Sequence, residues 1–406
     1  MSTATIPDLG RGKQVRYWFL AGIVLVLGIA VYAGHVYLYR RLFRDTTQNQ
    51  RLRKRGRLLI TGMLVFTGIS IPVTRYLELP GERFYGFVSF GWAGVLAISV
   101  AILLLADGLR LIIKKLGLTD ETNQDRRQLM SRGIAGVATV TAVSTGASGV
   151  ALAMADPTLK EMAVPISALP LELKGFRIVQ LSDIHFGPTL RVPFAEHLVE
   201  RVNALKPDLV AITGDLVDGT VADLGPAVQT LTQITARHGL FFVTGNHEYY
   251  SGASAWVDAL SGWGVKVLRN ETVTLHHDGA PLDILGVDDW RAARFEPDHG
   301  YDFRQANQGR NKAHTAVLLT HQPKAIHDAA EEVDLVLAGH THGGQIWPGK
   351  YLVKLVQPYV SGLHQHSERT WIYVHSGTGY WGPPVRVGVP AEIAVITLDR
   401  PSTTVA

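Results

Sequence analysis

Two histidines one residue apart, within Gly339-His340-Thr341-His342-Gly343-Gly344-Gln345, are the side chains best placed to do chemistry. Imidazole is a ligand for divalent transition metals. The flanking glycines let the backbone bend sharply, with no Cβ to block a close approach. Thr341 as a spacer lets the two rings diverge, towards different ions or different faces of one. The competing reading is a loose turn carrying two exposed histidines. Four further clusters bear on the choice: Asp183-Ile184-His185, Gly214-Asp215-Leu216-Val217-Asp218, Gly245-Asn246-His247-Glu248 and His321. Taken singly, Asp183, Asp215, Asn246 and His321 read as turn or cap residues. Five clusters, all of metal-ligand type, are hard to assemble by chance.

Each cluster ends a short apolar run, at 176–182, 208–213, 239–243, 316–320 and 333–338, and the pattern predicts strands there. Helical patterns at 192–205, 224–237, 253–260 and 324–331 separate them. The middle is β-like at 265–268, 272–276 and 282–287, with further strands at 371–375 and 392–397. In open α/β sheets, ligands bind beyond the carboxyl ends of the strands. The expectation is an α/β domain over 176–400, built as a four-layer α/β/β/α sandwich with its polar clusters at one rim. A linker is expected at 156–175.

The rest of the 406-residue chain sets the context. The sequence has no cysteine, which excludes disulfides, zinc thiolates and cysteine nucleophiles. Its formal charge is +4, but many basic residues flank apolar runs. A membrane explanation therefore comes first, and no nucleic-acid binding is expected. Apolar runs at 17–39, 58–74, 84–113 and 133–155 make 1–155 a transmembrane region with about four helices. Arg40, Arg41, Arg44, Arg51, Arg53, Lys54, Arg55 and Arg57 load the first loop. Arg75, Glu78, Glu82 and Arg83 nearly balance the second, and Lys114, Lys115, Arg126, Arg127 and Arg132 load the third. Loops one and three then face the cytoplasm. The expectation is a multi-pass cell-membrane protein with an extracytoplasmic C-terminal domain. Arg11, Lys13 and Arg16 on the tail count against it. The fourth run also reads as an export signal, with Arg126-Arg127 ahead of it and Ala151-Leu152-Ala153-Met154-Ala155 at its end. We favour an uncleaved anchor, because three earlier runs already commit the chain to the membrane.

The ordered blocks Asp-x-His, Gly-Asp-x-x-Asp, Gly-Asn-His-Glu, His and Gly-His-x-His resemble the calcineurin-like metallophosphoesterase superfamily, over about 176–398. The Gly-His-Thr-His-Gly-Gly-Gln block and 377–386 resemble its membrane-associated or exported branch, some members of which act on lipid-linked phosphates. The resemblance implies a phosphoesterase with two divalent metal ions (Mn, Fe or Zn). It implies that Asp183, His185, Asp215 and His342 hold one ion. Asp215, Asn246, His321 and His340 would hold the other, with Asp215 bridging. It implies His247 as the catalytic donor and Asp218 as its orienting partner. Asp218 stands where purple acid phosphatases carry a ligand tyrosine. Gly219-Thr220 replace the Arg-Gly of the Ser/Thr protein phosphatases, so the phosphate-binding arginine is missing. Arg191, Arg269 and Arg291 are candidate replacements. The expected function is hydrolysis of a phosphate mono- or diester, on a lipid-linked or cell-envelope substrate. The alternative is a non-catalytic metal-binding scaffold on a membrane anchor.

Other polar residues read more plainly. Asp288-Asp289-Trp290 suits the rim or a turn, and His276-His277 a surface hairpin, while His364, His366 and His375 lack a block context. The stretch 346–360 is apolar yet loop-like: a lid, a surface that dips into lipid, or core.

Overall fold

A computed structural model describes residues 11–76, 82–117 and 124–401. The tail to residue 10, Glu78 on the second loop, and the side chains of Arg11, Lys13, Arg16, Arg75, Glu82, Arg83, Arg126 and Arg127 lie outside that description. The chain forms two compact units, one over 11–20, 155–381 and 388–401, the other over 21–154 with 382–387.

The N-terminal region is helical: α1 (Arg11–Tyr39), α2 (Gln50–Tyr76), α3 (Glu82–Lys115) and α4 (Gln124–Met154). Long apolar helices satisfy their backbone N–H and C=O groups internally. Among the described residues, two stretches are long and apolar enough to cross a membrane, at Phe84–Lys115 and Gln128–Met154. The run at 17–39 falls on α1, whose side chains are described only in part. Leu38, Ile60, Leu96, Leu103 and Ala138 pack together inside this unit. Leu25, Leu105 and Val140 point outward. Asp107 accepts hydrogen bonds from Tyr37 (2.6 Å) and Arg41 (2.5 Å).

The second unit is a sandwich. In chain order it contains β1 (Thr158–Pro165), β2 (Arg177–Leu181), α5 (Val192–Ala204), β3 (Leu209–Thr213), α6 (Val221–Thr230) and β4 (Leu240–Val243). Then come α7 (Asn246–Ser251), α8 (Ala253–Gly262), β5 (Lys266–Val267), β6 (Glu271–His277), β7 (Ala280–Gly286), α9 (Phe303–Asn307) and β8 (Thr315–Leu319). The unit closes with α10 (Ile326–Ala329), β9 (Leu335–Ala338), α11 (Lys350–Val353), β10 (Gly362–Gln365), β11 (Trp371–Val374) and β12 (Glu392–Asp399). The strands make two six-stranded sheets, ordered β1-β12-β2-β3-β4-β5 and β10-β11-β9-β8-β7-β6. Strands β2 to β5 run parallel, as do β7, β8, β9 and β11.

Strand alternation assigns the faces. Ile178, Ala211, Phe241 and Val243 meet Leu282, Ile284, Val317, Leu319 and Leu337 between the sheets. On the far side of the second sheet, Val287, Leu318, Val336 and Ile372 pack on Phe303, Ala306, Ile326 and Ala329 from α9 and α10. Gln180 crosses the inter-sheet core, donating to Thr213 Oγ1 (2.8 Å) and the Ala338 carbonyl (3.0 Å). The architecture is thus the four-layer α/β sandwich, preceded by a helical region.

One stretch behaves differently from the expectation. Residues 156–175 are not simply a linker: Thr158 to Pro165 pair in parallel with Glu392 to Asp399. This is an edge strand whose first four residues are exposed. It lacks the apolar alternation that would mark it locally.

Candidate metal centre

The five clusters lie at the carboxyl ends of β2, β3, β4, β8 and β9. The turns there are tight. Asp183, His185, Asp215, His340 and His342 all have φ between 48° and 72°. Non-glycine residues adopt this left-handed region at a cost, and such strain gathers at functional sites. Glycines make the close approaches possible. A Cβ on Gly339 would lie 2.0 Å from Ser182 Oγ and 2.4 Å from an Asp183 oxygen. One on Gly245 would lie 2.3 Å from an Asp215 oxygen.

The side chains converge on two adjoining groups. In the first, His342 Nε2 lies 3.0 Å from His185 Nε2 and 3.2 Å from Asp183 Oδ1. In the second, His321 Nε2 lies 3.0 Å from Asp215 Oδ2 and 3.1 Å from His340 Nδ1. The same Asp215 oxygen is 3.9 Å from His185 Nε2, so it faces both groups. His340 and His342, two residues apart, thus send their rings to different groups. Asn246 opens α7 beside Asp215, with its Oδ1 buried and without a hydrogen-bond partner.

Hydrogen bonds brace these groups. The Asp183 carboxylate accepts from the backbone N–H of His340 (3.0 Å to either oxygen) and from Ser182 Oγ (2.6 Å). His321 Nδ1 donates to the Thr213 carbonyl (2.8 Å), which turns Nε2 towards Asp215. Asp218 lies between two rings, 3.2 Å from His185 Nδ1 and 2.5 Å from His247 Nδ1. His247 Nε2 is then left facing Asp215 Oδ2, 4.0 Å away. Its ring lies beside Tyr250 (centroids 5.0 Å apart) and Trp381 (6.2 Å).

The electrostatics follow from this packing. Burial alone would raise the Asp183 and Asp215 carboxyls. The neighbouring His342 and His321 outweigh it and hold both below the usual range. Burial opposes charge on His321, but Asp215 overrides it and raises the ring to about 10. His247 is raised to about 9 by Asp215 and Asp218 against the same penalty. His340 goes the other way, to about 3, through burial and the nearby His321.

A divalent cation fits these donors. Three groups of carboxylate and imidazole atoms lie within 4.8 Å of one another: Asp183, His185 and His342; Asp215, His321 and His340; His185, Asp218 and His247. Two donors about 2.1 Å from a metal and at right angles stand about 3 Å apart, which matches the imidazole pairs here. The orphaned Asn246 oxygen is the kind of buried acceptor that an ion satisfies.

Sequence reasoning left two roles unassigned. Glu248 is buried, and its carboxylate accepts from the backbone N–H groups of Gly245 (2.6 Å), Leu216 (2.7 Å) and Asp215 (3.0 Å). It ties the Asp215 turn to the Asn246 turn; its place in the Gly-Asn-His-Glu block was the only local signal. Asp218 orients His185 as well as His247, a pairing that spacing could not reveal. Two of the candidate cations are committed elsewhere. Arg191 pairs with Asp223 (2.8 Å), and Arg269 grips Asp288 through two bonds (3.0 and 2.9 Å). Arg291 is exposed. Asp289 is buried, accepting from Gln322 (2.9 Å), and His375 is buried, its Nδ1 accepting from the Gly377 N–H (2.9 Å). His277 bonds His238 (3.1 Å), His364 the Ser361 carbonyl (2.9 Å) and His366 Tyr359 (3.0 Å), all apart from the two groups.

Comparison with known proteins identifies the family. A family profile described as calcineurin-like phosphoesterase matches residues 176–344. A Bos taurus transmembrane protein with metallophosphoesterase domain is 31% identical, over 96% of this chain and 93% of that protein. An uncharacterized metallophosphoesterase of Campylobacter jejuni is 32% identical, over 93% of this chain and 96% of its own length. A dimetal phosphatase structure from Danio rerio aligns at 12% identity with a TM-score of 0.35, covering 56% of this chain and 93% of that one.

Proposed function

The chain belongs to the calcineurin-like metallophosphoesterase family, and from that premise we propose that its sandwich is a binuclear metal-dependent phosphoesterase. Asp183, His185, Asp215 and His342 would hold one divalent ion, and Asp215, Asn246, His321 and His340 would hold the other. The observation that carries this reading is the Asp215 carboxylate, whose Oδ2 faces both imidazole groups. Mn, Fe or Zn suits such mixed oxygen and nitrogen donors.

Bound divalent ions supply Lewis acidity and an activated water at neutral pH. The chain's own residues do the rest. Asp218 holds the His247 Nδ1–H, so the proton on Nε2 is presented towards the donor groups. His247 Nε2–H then hydrogen-bonds a phosphoryl oxygen. As water attacks phosphorus and the ester P–O bond breaks, this proton passes to the leaving oxygen, the attacking water gives up one proton to solvent, and His247 regains its own from solvent. Asp218 stays ionised throughout. Glu248 and the Thr213 carbonyl keep the Asp215 and His321 donors in place.

The substrate we favour is a lipid-linked or cell-envelope phosphate mono- or diester. Supporting it are the two helices able to cross a membrane and the name of the bovine relative. The loop charges support a multi-pass topology with the catalytic domain outside the cytoplasm. The division runs from a transmembrane region over 1–155 to a phosphoesterase domain ending near 400.

The test is metal analysis and aryl phosphodiester turnover of the full chain in detergent, with added Mn²⁺. Turnover should appear, and His247→Ala should lower it about 10²- to 10⁴-fold, the range for a lost proton donor, with bound metal retained. Bound metal without turnover in the unmodified chain would sink the enzyme reading and favour the scaffold. Protease protection checks orientation: a cytoplasmic sandwich would overturn the topology.

A further inference from the structure

Among the described residues of the sandwich, nine large apolar side chains stand exposed, and six of them cluster: Trp347, Tyr351, Leu352, Leu355, Val356 and Trp381. Leu355 is 79% exposed and Leu352 69%. Contiguous apolar surface of this kind marks an interaction site.

The backbone holds the patch open. Gly349 N–H donates to the Ile346 carbonyl (2.7 Å), Tyr351 N–H to that of Pro348 (3.0 Å) and Leu352 N–H to that of Gly349 (2.9 Å). A Cβ on Gly344 would lie 2.3 Å from the Lys350 nitrogen, so the entry turn is compact. Thr341 Oγ1 donates to the Val360 carbonyl (2.6 Å), tying the segment's end to the loop of His340 and His342. Gln345 joins Trp381 to the patch through two bonds, one to its carbonyl (2.9 Å) and one from its N–H (3.0 Å). The Trp381 ring is in turn 6.2 Å from that of His247. The patch therefore borders the metal centre.

Composition points to the occupant. Residues 346–360 contain Lys350 and Lys354, both exposed, and no Asp or Glu. Protein–protein interface cores are depleted in lysine. Membrane–water interfaces instead combine Trp and Tyr with snorkelling Lys, whose heads reach the phosphates. The chain also carries helices able to span a bilayer.

We propose that residues 347–356, together with Trp381, seat in the interfacial zone of a lipid bilayer, bringing the rim of the metal centre to the headgroups. This contact is additional to the N-terminal helices and independent of whether the centre hydrolyses anything.

The chain has no cysteine, so single labels are clean. Leu352→Cys, Leu355→Cys and, as a control, Leu171→Cys would carry an environment-sensitive fluorophore on the full chain. Leu171 is 66% exposed and lies just before β2, at the end of the sandwich opposite the rim. The discs would contain phosphatidylcholine and phosphatidylglycerol, and unchanged thermal unfolding would confirm each fold. Labels at 352 and 355 should show blue-shifted emission and several-fold stronger quenching by nitroxide-bearing lipids than the label at 171. Emission like the control overturns the proposal. So does a shielded label that lipid nitroxides fail to quench, because protein would then cover the patch. The readout needs no turnover, so its failure and failure of the phosphoesterase reading are separate results.

Discussion

The loop at 339–345 and the segment at 347–356 are almost contiguous, yet they depart from ordinary packing in opposite directions. The first takes His342 out of water and presses His340 against His321, on a backbone strained into left-handed φ. The second holds Leu352 and Leu355 out in water on a well-bonded turn. A sequence that only had to fold would do neither. Buried polar groups cost free energy unless partnered, and exposed leucines forgo the gain of burial. Both departures are tolerated because the inter-sheet core carries the fold, and both lie at the same rim.

The contrast can be tested from either side. The largest effect should come from the carboxylate both imidazole groups share. Asp215→Asn should lower turnover on an aryl phosphodiester by at least about a hundredfold, the scale of losing one preorganised charge partner, and lower the bound metal measured by elemental analysis. Intact metal and turnover would remove Asp215 from the centre. Next comes metal itself. Mn²⁺ at about a hundred times its Kd should stabilise the sandwich by about 2.7 kcal/mol. Thermal unfolding reads this as a rise in Tm that chelator reverses; equal Tm values would mean that the two imidazole groups bind no ion.

A somewhat smaller loss is expected at Gly339. Gly339→Ala must push Ser182 and Asp183 apart, because its Cβ would overlap both. The cost should be about 1–3 kcal/mol in unfolding free energy, and an unchanged transition would show that the turn yields freely. The smallest effect belongs to the exposed segment. Leu355→Ser should change stability by less than about 0.5 kcal/mol. A larger loss on thermal unfolding would mean that Leu355 is packed, and the contrast would collapse.

Much of the centre was legible because strand periodicity and chain order are local. Apolar runs predict β2, β3, β4, β8 and β9, and the polar residue after each run must then sit at a strand end. The donor types at 183, 185, 215, 246, 321, 340 and 342 are likewise a property of the sequence alone. So are the absence of thiol chemistry and the long apolar runs at 84–113 and 133–155.

The tertiary structure decided what meets what. His185 and His342 are 157 residues apart, and no spacing rule brings their Nε2 atoms to 3.0 Å. Only the packed sheets turn Asp215 Oδ2 towards two imidazole groups, give Asp218 two histidines and make Glu248 a brace. Edge strand β1 has no alternation of its own and became visible through its pairing with β12. The same holds for 346–360, where an apolar run suits core, lid and lipid surface alike. Burial is a property of neighbours, and a run of residues does not carry its neighbours with it.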